Sequence, residues 1–399
     1  MSKKEKTAKK ETRKERRLKN LRHFDLWIFL PYIALSVLGV VMVYSASSYR
    51  LMMQDNSSVM GGVKQLTFLI IGLVLLFGIY IFIRNRFIDS GKFAKGLMFI
   101  AILLLIIVLI FGQKVNGAKG WLNLGLFQLQ PLEVFKLALI LYAAHYFVNV
   151  SHLSYMSKVM FWGSFLLGIV LLLCQPDTGG VLITVLLLTA IWLCSGAPFL
   201  EVVSYIGLAA MVIALAALIL PHVLGGYRLD RFLVAYHPFD YARGAGHQLV
   251  NSYYAINNGG WFGVGLGKSI EKQGFLPEAQ TDFIFSIIVE ELGLITGFIV
   301  IALLAILIFR IFYIGFKSQS RQHMLICVGI GTWIFLQMFV NLGGLLGIIP
   351  LTGVNLPFLS QGGSSMIMLS VAIAIAMKIS ANEYDYRKRK PLRHVKVFE

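Results

Sequence analysis

Glu133 and Lys136 stand three residues apart at the start of an apolar stretch, residues 134–148. A helix brings positions i and i+3 onto one face, so a carboxylate and an ammonium meet there away from water. Charges in such a place are costly, and they pair with one another or serve a function. Two readings stand: the pair neutralises itself and locks helices together, or Lys136 meets an anionic headgroup while Glu133 orients it or helps hold a cation. The second candidate is Asp282, which closes Leu276-Pro277-Glu278-Ala279-Gln280-Thr281-Asp282 just before an apolar run from Phe283. Thr281 or Asp282 could cap a helix, since their side-chain oxygens accept from free backbone N–H groups. Glu290 falls near the same helical face as Asp282, eight residues on, beside Glu291. These acids could be helix glue, or they could raise a neighbour's pKa by like-charge repulsion. Arg228 and Arg231 flank Asp230. Guanidinium groups suit phosphate through bidentate contacts, while pairing with Asp230 is the commoner fate of surface arginines.

Other chemistry is poorly supported. The glycine-rich runs 258–267 and 360–365 match neither a dinucleotide fingerprint nor a Walker loop. They suit tight turns and close helix approach. Cys174, Cys194 and Cys327 lie within apolar runs without metal-ligand spacing, and are expected to be inert core residues. No Ser-His-Asp, zinc or haem pattern is present.

The elements that must position these residues are membrane spans. Of the 399 residues, 57% are hydrophobic and 14% charged, with a mean hydropathy of +0.76. A soluble domain is nearer half apolar and a quarter charged. Ten apolar segments can be drawn, at 26–46, 66–83, 97–111, 134–148, 159–174, 181–194, 202–220, 283–312, 325–346 and 366–379. Several are shorter than the ~20 residues a span needs, so their flanks must extend them. An even count places both termini on one side. Eleven Lys and Arg residues lie between Lys3 and Arg22, seven lie between Lys378 and Lys396, and eight more follow the second, fourth and eighth segments. By the positive-inside rule that side is the cytoplasm. The same rule explains the formal charge of +17, so no nucleic-acid partner is expected. Residues 1–24 read as a basic cytoplasmic tail without a cleavable signal peptide, 25–380 as one all-α membrane domain, and 381–399 as a second basic tail. The opposite side carries a loop of about 60 residues, 221–280, too long for a mere connection and expected to lie on the membrane as short amphipathic helices. Two further outer stretches are 112–131, with Trp121, and 343–361, which has no charged residue and could dip into the membrane edge.

Residues 115–125, 129–137, 276–293 and 350–365 resemble the SEDS family of bacterial cell-wall polymerases. Asn116, Gly117, Lys119, Trp121, Gln130, Pro131, Glu133, Lys136, Pro277, Asp282, Pro357, Gly362, Gly363 and Ser364 are among the matching residues. The resemblance covers nearly the whole membrane domain, and the run 251–263 is more similar to the division branch, FtsW, than to RodA. Leu132, Gln280 and Gln361 depart from the Ser, His and Tyr or Phe usual there. The resemblance implies an all-helical domain of about ten spans in the bacterial cytoplasmic membrane, at the division septum. It implies an inverting peptidoglycan glycosyltransferase that polymerises lipid II on the outer face and releases undecaprenyl diphosphate. Asp282 matches the proposed catalytic carboxylate. Trp121, Glu133, Lys136, Arg228, Arg231, Thr281 and Ser364 are the implied substrate-binding set. A divalent cation, Mg2+ or Mn2+, is the one cofactor left open, with Glu133 or Asp282 as its ligand. A class B penicillin-binding protein and other division proteins are the implied partners. A lipid II flippase and a non-catalytic division scaffold are the alternatives.

Overall fold

The computed structural model describes residues 24–83, 85–115, 118–123, 125, 128–196, 207, 234–244 and 246–389. Its helices are α1 (Leu26–Met53), α2 (Met60–Phe82), α3 (Gly91–Phe111), α4 (Pro131–Asn149), α5 (Tyr155–Cys174), α6 (Thr178–Cys194), α7 (His247–Gly259), α8 (Ile284–Phe316), α9 (Arg321–Leu345) and α10 (Gly363–Arg389). Eight of these are long and apolar enough to cross a membrane, which makes the chain a multi-pass membrane protein. The shorter α6 is also apolar, and its 17 residues reach about 25 Å. α7 is not a span. The expected seventh span, at 202–220, lies outside the described residues except for Gly207, as do Arg228 and Arg231 and most of both tails.

Local sequence sets the helix starts. Ser90, Ser154, Asp177 and Ser320 cap α3, α5, α6 and α9, each accepting from a backbone N–H three residues on. Pro131 occupies the first turn of α4, where its missing N–H costs nothing. Several helices run past the apolar segments that announced them: α8 extends to Phe316, and α10 to Arg389, where polar residues continue the helix.

α4 is the central helix. All its residues but His145, Val148 and Asn149 are buried, and it packs against α3, α5, α6, α9 and α10. By contrast α2, α3 and α5 bury one stripe and expose Val74, Phe99 and Val170, as lipid-facing helices do. At the cytoplasmic end the buried Asp25 accepts a forked pair of bonds from Arg310, with Nη2 at 2.8 Å, and one from Ser380 at 2.6 Å. This joins the chain preceding α1 to α8 and α10.

The outer stretch 112–131 holds a small antiparallel sheet within the otherwise helical domain, β1 (Gln113–Val115), β2 (Ala118–Asn123) and β3 (Gln128–Leu129), in that order. Cys174 is exposed at the end of α5 rather than in the core, and only Cys327 is buried. The described part of the outer loop is a 3-10 turn (Pro238–Tyr241), then α7, then irregular chain to Phe283. α7 packs on α8, and the chain after it docks into a break in α8.

That break is at Gly293, where φ is +85° inside the helix. A break in a span exposes backbone groups that lipid cannot satisfy. The glycine-rich run satisfies them: Val264 N donates to Glu290 O, Gly265 N to Glu291 O, Leu294 N to Gly260 O and Ile295 N to Trp261 O, at 2.9–3.4 Å. A Cβ at Gly263 would strike the Glu291 carbonyl, and one at Gly293 the Trp261 carbonyl, so close approach requires both glycines. Glu290 and Glu291 are the glue of this joint. Glu291 receives Lys272 Nζ at 2.6 Å, Ser45 Oγ at 2.7 Å and Gly267 N at 2.9 Å, while Glu290 receives Ser269 Oγ and Ile270 N.

Candidate active site

The outer end of α4 carries Glu133 in its first turn, the favoured place for an acid beside the helix dipole. Lys136 Nζ donates to Glu133 Oε1 at 2.7 Å, and both residues are buried. The second oxygen, Glu133 Oε2, is buried without a hydrogen-bond partner. The Lys136 ammonium also lies over the Trp333 ring of α9, 5.0 Å from its centroid, an attractive cation–π contact. A third charge is near: Asp177, the cap of α6, accepts from Gly180 N at 2.7 Å and lies within electrostatic reach of Lys136. Both members of the pair lie on α4, and the tie to another helix is the contact of Lys136 with Trp333.

The Asp282 segment is held by its backbone. Phe283 takes the N-cap position of α8, so Asp282 precedes the cap. Asn341, near the outer end of α9, donates from Nδ2 to Asp282 O at 2.9 Å and to Val354 O at 2.8 Å. Two acceptors on the nitrogen fix the amide's orientation, which leaves Asn341 Oδ1 buried and without a partner. Ser360 Oγ donates to Thr281 O at 2.6 Å and accepts from Leu356 N, while Gln361 N donates to Gln280 O at 2.8 Å. The charge-free stretch 343–361 is thus laced to the strand of chain that carries Asp282. The Asp282 carboxylate faces Gly353, where a Cβ would come to 3.7 Å of Oδ2.

The other expected residues are placed as follows. Thr281 is half-buried, and its hydroxyl donates to the Glu278 carbonyl and carboxylate, each at 3.1 Å. Glu278 in turn faces Arg50 at 3.6 Å. Ser364 donates to Gln128 O at 2.8 Å and accepts from Gln130 N at 2.9 Å, which fastens α10 to the junction that starts α4. Trp121 is half-buried in β2, opposite Gln113. One helix joins the two chemically distinct ends: α9 places Trp333 beneath Lys136 and Asn341 against Asp282. Among the described residues no three His, Cys, Asp or Glu side chains come together to hold a metal. Glu133 and Asp282 could each offer a single ligand, as Mg2+ sites that share substrate phosphates require.

Residues that sequence reasoning passed over are Asn341, Asp177, Ser360 and Lys272. Asn341 and Asp177 were legible as polar residues at the ends of apolar runs. The partners of Ser360 and Lys272 are set by contacts across the chain, and no local signal marks them.

The family model described as cell cycle protein, that of FtsW, RodA and SpoVE, matches residues 25–385. The chain is 40% identical to the probable peptidoglycan glycosyltransferase FtsW of Enterococcus hirae, over 91% of this chain and 93% of that protein. It is 36% identical to the protein of the same name from Bacillus subtilis, over 93% and 94%. Among solved structures it resembles a chain of a peptidoglycan synthase complex described as coordinating polymerization and crosslinking, at 26% identity and a TM-score of 0.71, covering 90% of this chain and 98% of that one. It also resembles the rod shape determining protein RodA of Thermus thermophilus, at 26% identity and a TM-score of 0.65 over the same shares. With a matched core that includes the Lys136–Glu133 pair and the Asp282 turn, the chain belongs to the FtsW/RodA/SpoVE family, the SEDS proteins.

Proposed function

We propose that the chain is a peptidoglycan glycosyltransferase that polymerises lipid II on the outer face of the cytoplasmic membrane, and that Asp282 is its general base. The observation that carries this reading is the shared scaffold of α9, with a buried cation at one level and the Asp282 carboxylate at another. Glycosyl transfer from a lipid diphosphate needs both: a base at the attacking hydroxyl and positive charge at the departing phosphate.

The acceptor sugar's 4-hydroxyl attacks the anomeric carbon of the donor. Its proton passes to the Asp282 carboxylate as the new C–O bond forms. The bond from the anomeric carbon to the diphosphate oxygen breaks, and the lipid diphosphate leaves with the electron pair. Displacement from the opposite face inverts an α-linked donor to a β linkage. Lys136 stabilises the charge that gathers on the leaving group, with Arg228 and Arg231 as further candidates. A divalent cation held by Glu133 or Asp282 and by the diphosphate would add Lewis-acid stabilisation. Thr281, Ser364 and Trp121 belong to the substrate-binding shell: Thr281 and Ser364 by holding the chain that bears Asp282 and Glu133, and Trp121 from the sheet above.

A class B penicillin-binding protein, which would cross-link the strand just made, is the proposed partner, and the septum the proposed location. Purified chain, alone and with that partner, is tested on lipid II in detergent, where no bilayer separates two compartments. A polymerase yields glycan strands there. A flippase or scaffold yields none, and that result refutes the assignment.

A further inference from the structure

Between the levels of Lys136 and Asp282, α9 presents Trp333, Gln337 and Asn341 at intervals of four residues, hence on one face. From Trp333 to Asn341 the helix rises about 12 Å, the order of length of a hexosyl diphosphate lying along it. All three residues are buried, and each has a polar atom with no hydrogen-bond partner: Trp333 Nε1, Gln337 Oε1 and Asn341 Oδ1. On α8, which packs on α9, Ser286 lies four residues on from Asp282 and Gln337 four residues before Asn341, whose side chain holds the Asp282 carbonyl, so helix rise sets the two at similar depth. Ser286 too is fully buried with an unpartnered hydroxyl. Natural proteins leave few buried polar groups unpaired, because each loses its hydration without a replacement bond. Three such groups lie on one face of α9 and the fourth on the neighbouring α8.

We propose that Gln337 and Ser286 form a binding subsite for the donor N-acetylhexosamine, between a diphosphate at the Lys136 level and the acceptor hydroxyl at the Asp282 level. This assignment rests on the glycosyltransferase reading. The unpaired groups match the ligand's chemistry by level. Phosphate oxygens only accept, and the deep level offers donors, the Lys136 ammonium and the Trp333 N–H. A sugar brings hydroxyl and amide donors, and the middle and upper levels offer the acceptors Gln337 Oε1, Ser286 Oγ and Asn341 Oδ1. The ladder sets both the orientation of the donor and its distance from Asp282, and Gln337 and Ser286 are its specificity-determining residues.

Gln337→Leu and Ser286→Ala separate this role from a structural one. A side chain bonded within the fold lowers the melting temperature when it is removed. An orphaned one does not, because the apolar replacement relieves an unpaired group. The full chain is purified in detergent and melted with and without lipid II, and polymerisation is followed as kcat and KM. The expected result is an unchanged or higher melting temperature without ligand, a lipid II-induced stabilisation cut by at least half, and kcat/KM reduced tenfold or more. A melting temperature lowered by several degrees with the lipid II shift intact makes these residues structural and overturns the proposal. If Gln337→Leu aggregates, Gln337→Met, which keeps the side chain's length, gives the same comparison. Loss of a Mn2+-induced shift with the lipid II shift retained assigns the oxygens to a cation and also overturns it. Wild-type protein that is stabilised by lipid II but makes no strands refutes the enzymatic reading alone, since the binding comparison remains decisive.

Discussion

Lys136→Met removes the ammonium while keeping most of the side chain's length and apolar stem. The structure sets the cost. Glu133 is 3% exposed, Lys136 is 1% exposed, and they meet at 2.7 Å through one oxygen of the Glu133 carboxylate, whose other oxygen has no hydrogen-bond partner. Removing one member of such a pair strands a buried charge and costs about 3–5 kcal/mol. The cation–π contact with Trp333 adds about 0.5–2 kcal/mol. Lys136→Met alone is therefore expected to fold poorly. Combining it with Glu133→Gln removes both charges at nearly constant shape, and replacement of both partners is often close to neutral. Stability should return to within about 1–2 kcal/mol of wild type. Catalysis should not return, because loss of a preorganised positive group beside developing charge typically costs about 100- to 1000-fold. The assay is a four-way cycle of melting temperature and lipid II polymerisation in the wild type, both single variants and the double variant. A well-folded double variant that polymerises at the wild-type rate refutes a catalytic part for the cation and leaves the pair as a helix lock.

Asn341→Leu frees the carbonyls of Asp282 and Val354. It should cost about 2–5 kcal/mol for two lost bonds and lower polymerisation further than stability alone accounts for; kcat measured at a temperature where the variant stays folded checks this. Lys272→Met strands the buried Glu291 at the α8 break and should destabilise by about 3–5 kcal/mol, with Lys272→Met/Glu291→Gln recovering most of it in thermal melts. Glu271, in the outer loop, has its carboxyl raised from 4.5 to about 7, first by burial and then by Glu290. The folded state therefore holds this proton more tightly than the unfolded chain. Its contribution is full below pH 4.5 and is lost as pH rises through 7. Glu271→Gln should flatten that window and raise the melting temperature at pH 8, and an unchanged pH profile would refute the assignment.

How much was legible follows from the kind of signal each feature gives. Apolar run length announced the spans α1 to α6 and α8 to α10, because the bilayer sets a length that composition reveals. The Glu133–Lys136 contact was legible because i,i+3 geometry is local. The sheet at Gln113–Leu129 was not, since its strands are two to six residues long and carry no alternation that can be read. The Gly293 break escaped because one glycine in a 33-residue helix is unremarkable until another segment supplies the missing backbone bonds. Glu290 and Glu291 could have faced Asp282 or a neighbour, and only the docked loop decides that they grip Ser269, Lys272 and Ser45. Asn341 fell at the end of an apolar run, but its hold on Asp282 spans 59 residues of chain.

Polymerisation of lipid II by purified Asp282→Asn protein tests the mechanism most directly. The substitution keeps the shape of the side chain and leaves the backbone tie from Asn341 to the Asp282 carbonyl in place, but an amide cannot take the acceptor's proton. Lipid II binding and melting temperature should stay near wild type while turnover falls by about 100-fold or more. Glu278→Gln, the nearest alternative carboxylate, should retain most activity. Near-normal glycan synthesis by Asp282→Asn would contradict the assignment of Asp282 as the base.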